Sequence, residues 1–191
     1  MKRDHTTVIG LKRYTVRVVE HQPQWATLFQ AELDFLVKET GDLIIEIHHI
    51  GSTAVPGLPA KPILDIAAIV QSKDDIPSII LRLIPHGYID RGDSGQDGGY
   101  LLVKDSQPDV RTIHLHIIEI TDEQWRDYLK FRDILRGNAA LREEYAALKQ
   151  NLAKMHAQNR GLYTSSKNEF IQNVLNMGGD SEITTQNCIT I

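Results

Sequence analysis

The spacing of apolar positions changes along the chain, and each change marks an element. Thr15 to Val19 reads as a short β-branched strand. Trp25, Leu28, Phe29, Leu33 and Leu36 then recur at helical spacing. They predict a helix that starts near Pro23, where a missing amide proton does no harm, and covers one face of a sheet. LIIEIHHI (43–50) and ILDIAAIV (63–70) have strand length and β-branched content. The second is apolar on both faces except for Asp65, as a central strand would be. In RTIHLHIIE (111–119) the alternation is clean: Ile113, Leu115 and Ile117 take one face, His114 and His116 the other.

Between the two apolar strands lies GSTAVPGLPAKP (51–62), whose two glycines and three prolines predict a stiff loop. Ser72 and Asp75 have capping-box spacing for a helix reaching about His86, which Gly87 ends. Residues 88–91 and 98–104 read as strands, with RGDSGQDGG and DSQPD as hairpin turns or mobile lips. The remainder is helical. One helix is capped from Thr121 with Gln124, carries Trp125, Tyr128, Phe131 and Leu135 on one face, and stops at Gly137. A longer helix carries Leu141, Tyr145, Leu148, Leu152 and Met155, and a last one starts near Ser166 with Glu169 completing its cap. The whole predicts one α/β domain of α+β type, a mixed sheet flanked by helices with a helical C-terminal part. Its expected limits are 15–177, between an N-terminal extension (1–14) and a peripheral tail (178–191).

Composition narrows the function only a little. At 191 residues with 41% hydrophobic and 24% charged side chains, the chain has an ordinary globular balance. A net charge of -4 argues against broad nucleic-acid binding but leaves room for a local phosphate site. The single cysteine, Cys188, excludes an internal disulfide framework. The first residues, MKRDHTTVIGLKR, hold no apolar run of signal-peptide length and no later run has membrane-span length, so a cytoplasmic protein is expected.

The candidate chemistry gathers around the glycine- and proline-rich loop. Gly51, Ser52 and Thr53 follow a strand and offer amides and hydroxyls to an anion, or serve only as turn formers. Asp65 must be compensated, by a metal, by a nearby Lys or His, or by a place at an open strand end, because a bare carboxylate in an apolar strand is costly. Two imidazoles on one face suit a transition metal, a phosphate or acid-base work, and Asp65 offers a third ligand. His48 and His49 diverge, and His49, next to Ile50-Gly51-Ser52, is expected to be the better placed. Lys61 at the loop exit and Lys167, set between Tyr163 and Phe170 at helical spacing, are candidate phosphate partners.

HIGSTAVPGLPAKPILDI (49–66) closely resembles the signature of the GrpB family, which also occurs fused to bacterial dephospho-coenzyme A kinases. The resemblance extends through HLHIIE, through FRDILRGNAALREEYAALK (131–149), and to Tyr163, Lys167 and Phe170. It implies a nucleotidyltransferase-like fold, in which a Gly-Ser turn and strand carboxylates assemble a two-metal site. Asp65, His114 and His116 then become the catalytic and metal-ligating set; Gly51, Ser52, Thr53, Lys61 and Lys167 become the ligand-binding set. The family's fusions also imply association with a dephospho-coenzyme A kinase. Position 67, where the second carboxylate of an Asp-x-Asp pair would fall, is alanine, and a conventional pair of Mg²⁺ ions then lacks ligands. The expected ligand is a nucleotide or other phosphorylated small molecule, with Mg²⁺, Mn²⁺ or Zn²⁺ as candidate ion. Three readings follow: metal-assisted nucleotidyl transfer, a non-catalytic nucleotide-binding module linked to coenzyme A biosynthesis, and a His/Asp metal-dependent hydrolase.

Overall fold

A computed structural model describes residues 8–93 and 99–177. Among them, strands β1 (Leu11–Lys12), β2 (Glu46–Ile50), β3 (Leu64–Val70), β4 (Tyr88–Asp93), β5 (Tyr100–Gln107) and β6 (Val110–Glu119) form one mixed sheet. Its order is β2-β3-β6-β5-β4, with β3 and β6 parallel and the other neighbours antiparallel. β1 pairs with the start of β6, Leu11 opposite Arg111, just before the β3 pairing begins at Leu64 opposite Ile113. The long strands are central because both of their faces are covered.

One face is dry. Leu64, Ile66, Ala68 and Val70 of β3 join Ile113, Leu115 and Ile117 of β6 beneath helix α1 (Gln24–Thr40) and helix α2 (Ile76–Leu83). In α1 the expected stripe is found, with Trp25, Leu33 and Leu36 buried and Leu28 and Phe29 packed alongside. The Ser72 and Asp75 capping box forms, first closing a 3-10 turn that leads into α2. The other face carries α3 (Gln124–Gly137), α4 (Ala139–Met155), α5 (Arg160–Ser165) and α6 (Asn168–Met177). Here Ile50, Ala67, Ile69 and Ile118 pack against Leu129 of α3, while Val55 and Leu58 of the loop pack against Leu135 and Tyr145.

Four expectations change. Residues 15–19 form no strand beyond a single bridge of Val19 to Ala60; β1 takes the sheet position, and Val16 instead bonds the carbonyl of Ala157. The N-cap residue of α3 is Glu123, not Thr121, and it makes no side-chain cap bond; Asp122 Oδ1 accepts from the Gln124 amide at 3.0 Å. Met155 is 72% exposed, so the buried stripe of α4 ends at Leu152. A short helix, α5, precedes α6 and was not expected; Asn159 caps it by accepting from the Leu162 amide. The DSQPD stretch makes the tight turn between β5 and β6, where Asp109 takes a positive φ of 63°. Most of the RGDSGQDGG stretch lies outside the described residues, as does the expected tail.

Candidate functional site

The site grows from the parity of β3. Asp65 and Ala67 point away from the dry face, and the register sets Asp65 between Ile50 of β2 and His114 of β6, and Ala67 between His48 and His116. Asp65 thus faces the C-terminal helices beside two imidazoles. They enclose a cavity of about 420 Å³, within the usual range for small-ligand sites. Gly51, Ser52, Thr53, Lys61, Asp65, His114, His116 and Lys167 all line it.

Asp65 keeps 32% of its side-chain exposure, in the cavity that it lines. Its Oδ1 lies 2.8 Å from His114 Nδ1. Burial alone would raise its pKa, but that hydrogen bond and the charges of His114, His116 and Lys61 outweigh it and hold the carboxyl well below the usual range. Oδ2 abuts Gly51. A Cβ at that glycine would meet the oxygen at 2.6 Å, and its φ of 68° is one that L side chains rarely adopt. Gly51 is therefore required both by its own backbone and by the carboxylate behind it.

Cations gather opposite. Lys61 and Lys167 place Nζ 5.2 and 4.8 Å from the ring centroid of Tyr163. Burial and then the charge of Lys167 lower Lys61 to about 8, against the opposing pull of Asp65. Burial also lowers Lys167. Arg160 lines the same cavity.

Lys149 completes the group, and the sequence reading missed it. It is 2% exposed, donates to Ser52 Oγ at 2.9 Å and to the Pro59 carbonyl, and lies 4.7 Å from the Tyr145 ring centroid. Burial and the two neighbouring lysines hold its pKa well below the ordinary value. A signal was present: Lys149 stands four residues after Tyr145 and three before Leu152, inside the apolar stripe of α4.

Two expected members are arranged differently. His49 lies on the dry side, opposite Ile66, stacked on Phe29 at 4.7 Å, with burial lowering its pKa to about 3. It is His48 that shares the Asp65 face, yet its Nε2 is 2.7 Å from Glu46 and its ring stacks on Trp125. Thr53 lines the cavity but is buried, and its hydroxyl lies 3.0 Å from His49 Nε2.

The donor atoms of Asp65, His114 and His116 all lie within 4.8 Å of one another. One carboxylate with two imidazoles suits a single Mn²⁺ or Zn²⁺. It does not suit two Mg²⁺ ions, which favour oxygen ligands, because Ala67 is fully buried in the apolar cluster under Leu129.

The pattern of GrpB protein matches residues 15–177. The chain belongs to the GrpB family. The Glutamate-rich protein GrpB of Alkalihalophilus pseudofirmus is 33% identical over 172 residues, spanning 88% of this chain and 99% of that relative. The crystal structure of the conserved protein GrpB from Enterococcus faecalis superposes with a TM-score of 0.77 at 33% identity, covering 84% of this chain and 96% of that one. The Cid1 poly(U) polymerase with MgGTP bound gives a TM-score of 0.52 at 16% identity over 71% of this chain and 44% of its own, a likeness of fold alone. The fold is accordingly nucleotidyltransferase-like. Part of this GrpB chain is also similar to a dephospho-CoA kinase of Mycolicibacterium paratuberculosis, 32% identical over 81 residues, 41% of this chain and 20% of that one. No helix among the described residues is long and apolar enough to cross a membrane.

Proposed function

We propose that this member of the GrpB family binds a nucleotide or another phosphorylated ligand in the cavity beneath its C-terminal helices. The observation that carries this reading is the convergence of Lys61, Lys149, Lys167 and Arg160 on the cavity that holds Asp65. Ser52, held by Lys149, lines the same wall together with Gly51 and Thr53. Asp65, His114 and His116 form the reactive floor and would hold one Mn²⁺ or Zn²⁺. Such an ion supplies Lewis-acid activation of a phosphoryl oxygen or of a water. Asp65 fixes the His114 ring through Nδ1 and so leaves Nε2 as the nitrogen available to a ligand or proton.

A thermal-shift panel of inorganic phosphate and nucleotides, alone and with Mg²⁺, Mn²⁺ or Zn²⁺, tests the reading. A ligand at about 100 times its Kd stabilises the native state by roughly 2.7 kcal/mol. Lys167→Met is expected to lose most of that shift, and Asp65→Asn to lose whatever Mn²⁺ or Zn²⁺ adds. An unchanged metal effect in Asp65→Asn makes Asp65 structural.

The match to part of a dephospho-CoA kinase favours a second reading, a ligand-binding module without catalysis linked to coenzyme A biosynthesis. Pyrophosphate release from nucleoside triphosphates separates the two: turnover with Mn²⁺ or Zn²⁺ supports transfer, and nucleotide binding without release supports the module.

A further inference from the structure

We propose that the cavity takes its ligand as a di- or triphosphate free of bound Mg²⁺, with Lys61, Lys149, Lys167 and Arg160 supplying the counter-charge that Mg²⁺ supplies in a two-metal site. The inference rests on the phosphorylated-ligand reading above and names the ligand class for that same site.

Charge balance leads to it. Four cationic side chains line the cavity against the carboxylates of Asp65 and Asp127. Asp65 is engaged by His114 at 2.8 Å, and Asp127 is exposed on the first turn of α3. The partners seen for three of the cations are neutral: Ser52 Oγ and the Pro59 carbonyl for Lys149, the Tyr163 ring for Lys61 and Lys167. Among the described residues, Asp65 is the one carboxylate acting on all four cations, and gathering four like charges around one anion is unfavourable, so the arrangement is completed by an anion from outside. The cations also come from separate elements. Lys61 leads into β3, Lys149 stands on α4, Arg160 opens α5, and Lys167 joins α5 to α6. A spread of donors around the cavity suits a chain of phosphates better than one tetrahedral anion.

The floor disfavours Mg²⁺ as the neutralising ion. Mg²⁺ demands near-octahedral oxygen ligands. The floor offers one carboxylate and two imidazoles, and the next position of β3 on that face is the buried Ala67. A nucleotide arriving as its Mg²⁺ complex brings two fewer net negative charges to a site already rich in cations. Mg²⁺ and the lysines then compete for the same phosphate oxygens.

Calorimetric titration of the full chain near neutral pH tests this, with inorganic phosphate, inorganic tripolyphosphate and ATP as probes, each in EDTA and in excess Mg²⁺. In EDTA, tripolyphosphate and ATP should bind at least about tenfold more tightly than phosphate, and excess Mg²⁺ should weaken both severalfold. Lys61→Met and Lys167→Met should each lose about tenfold, and Lys61→Arg should restore most of it because the charge returns. Circular dichroism and melting of each variant separate lost binding from lost fold. Binding that requires Mg²⁺, or tightens with it, overturns the inference and leaves the phosphorylated-ligand reading standing. Phosphate binding as tightly as tripolyphosphate overturns the polyphosphate class. No binding by any probe in either condition overturns both.

Discussion

The two faces of β3 are built from alternate residues of one seven-residue strand and are physically opposite. Toward α1 and α2 it presents Leu64, Ile66, Ala68 and Val70, all at or below 2% exposure and all in one apolar cluster. Toward the C-terminal helices it presents Asp65 at the cavity and, two residues on, Ala67 and Ile69 in a smaller apolar cluster. The first face fits its cover by burial alone. The second changes character within one residue pair, from a ligand floor to a seal. Stability and chemistry are thus divided by parity, and the boundary on the functional face lies between Asp65 and Ala67.

Moving that boundary should have the largest effect. Ala67→Asp places a carboxylate among Ile50, Ile69, Ile118 and Leu129, with His48 and His116 as strand neighbours. We expect it to destabilise the fold by about 3–5 kcal/mol in denaturant unfolding, the usual cost of an uncompensated buried charge. A loss below about 1 kcal/mol would show that the histidines extend the floor to position 67. Next comes the dry face. Ile66→Ala should cost about 2–5 kcal/mol through lost burial and the cavity it leaves, while the thermal shift produced by a phosphorylated ligand persists in the variant. Loss of that shift from a folded Ile66→Ala protein would break the division between the faces.

This division was legible wherever it depends on local period. The alternation of 111–119 put His114 and His116 together, and the isolated charge in 63–70 marked Asp65, because side-chain parity within a strand needs no knowledge of its partners. What depends on register was not legible. Adjacency shows that His48 and His49 diverge, but only the pairing of Ile50 with Asp65 decides which of them shares the Asp65 face. Thr15–Val19 has strand composition and still forms no strand, because the position beside β6 is held by Leu11 and Lys12, and Tyr14 turns the chain with a φ of 65°. Lys149 went unread because spacing alone does not mark a helix lysine as buried; its hydrogen-bond partners, Ser52 and the Pro59 carbonyl, come from a loop some ninety residues away. The glycine- and proline-rich loop was readable as unusual, but the reason for Gly51, the carboxylate directly behind it, exists only in three dimensions.

The smallest expected effect sharpens the comparison through pH. Lys61 falls from an ordinary 10.5 to about 8 because burial, then Lys167, disfavour its charge. Between those values the unfolded chain binds more protons than the native one, so stability rises with pH across the interval and the penalty is fully present below about 8. Lys149 and Lys167 are shifted in the same direction. Buried Tyr145 and Tyr163, whose pKa values are raised by burial from 10.0, work in the opposite sense once unfolded tyrosine begins to ionise, so the window is read between about 8 and 10. We expect the unfolding free energy of the ligand-free chain to increase by about 1–3 kcal/mol over that window, after allowance for the partial exposure of Lys61. Lys61→Met should flatten the rise, and so should saturating tripolyphosphate, because an anion in the cavity removes the reason for the lysines to discharge. Ile66→Ala should leave the slope unchanged at lower overall stability, since its side chain lies on the other face. Equilibrium denaturation in urea at several pH values gives all three slopes. A flat profile in the unmodified chain would mean that the cationic group is already neutralised without ligand, and the contrast between the two faces would then be one of shape and not of charge.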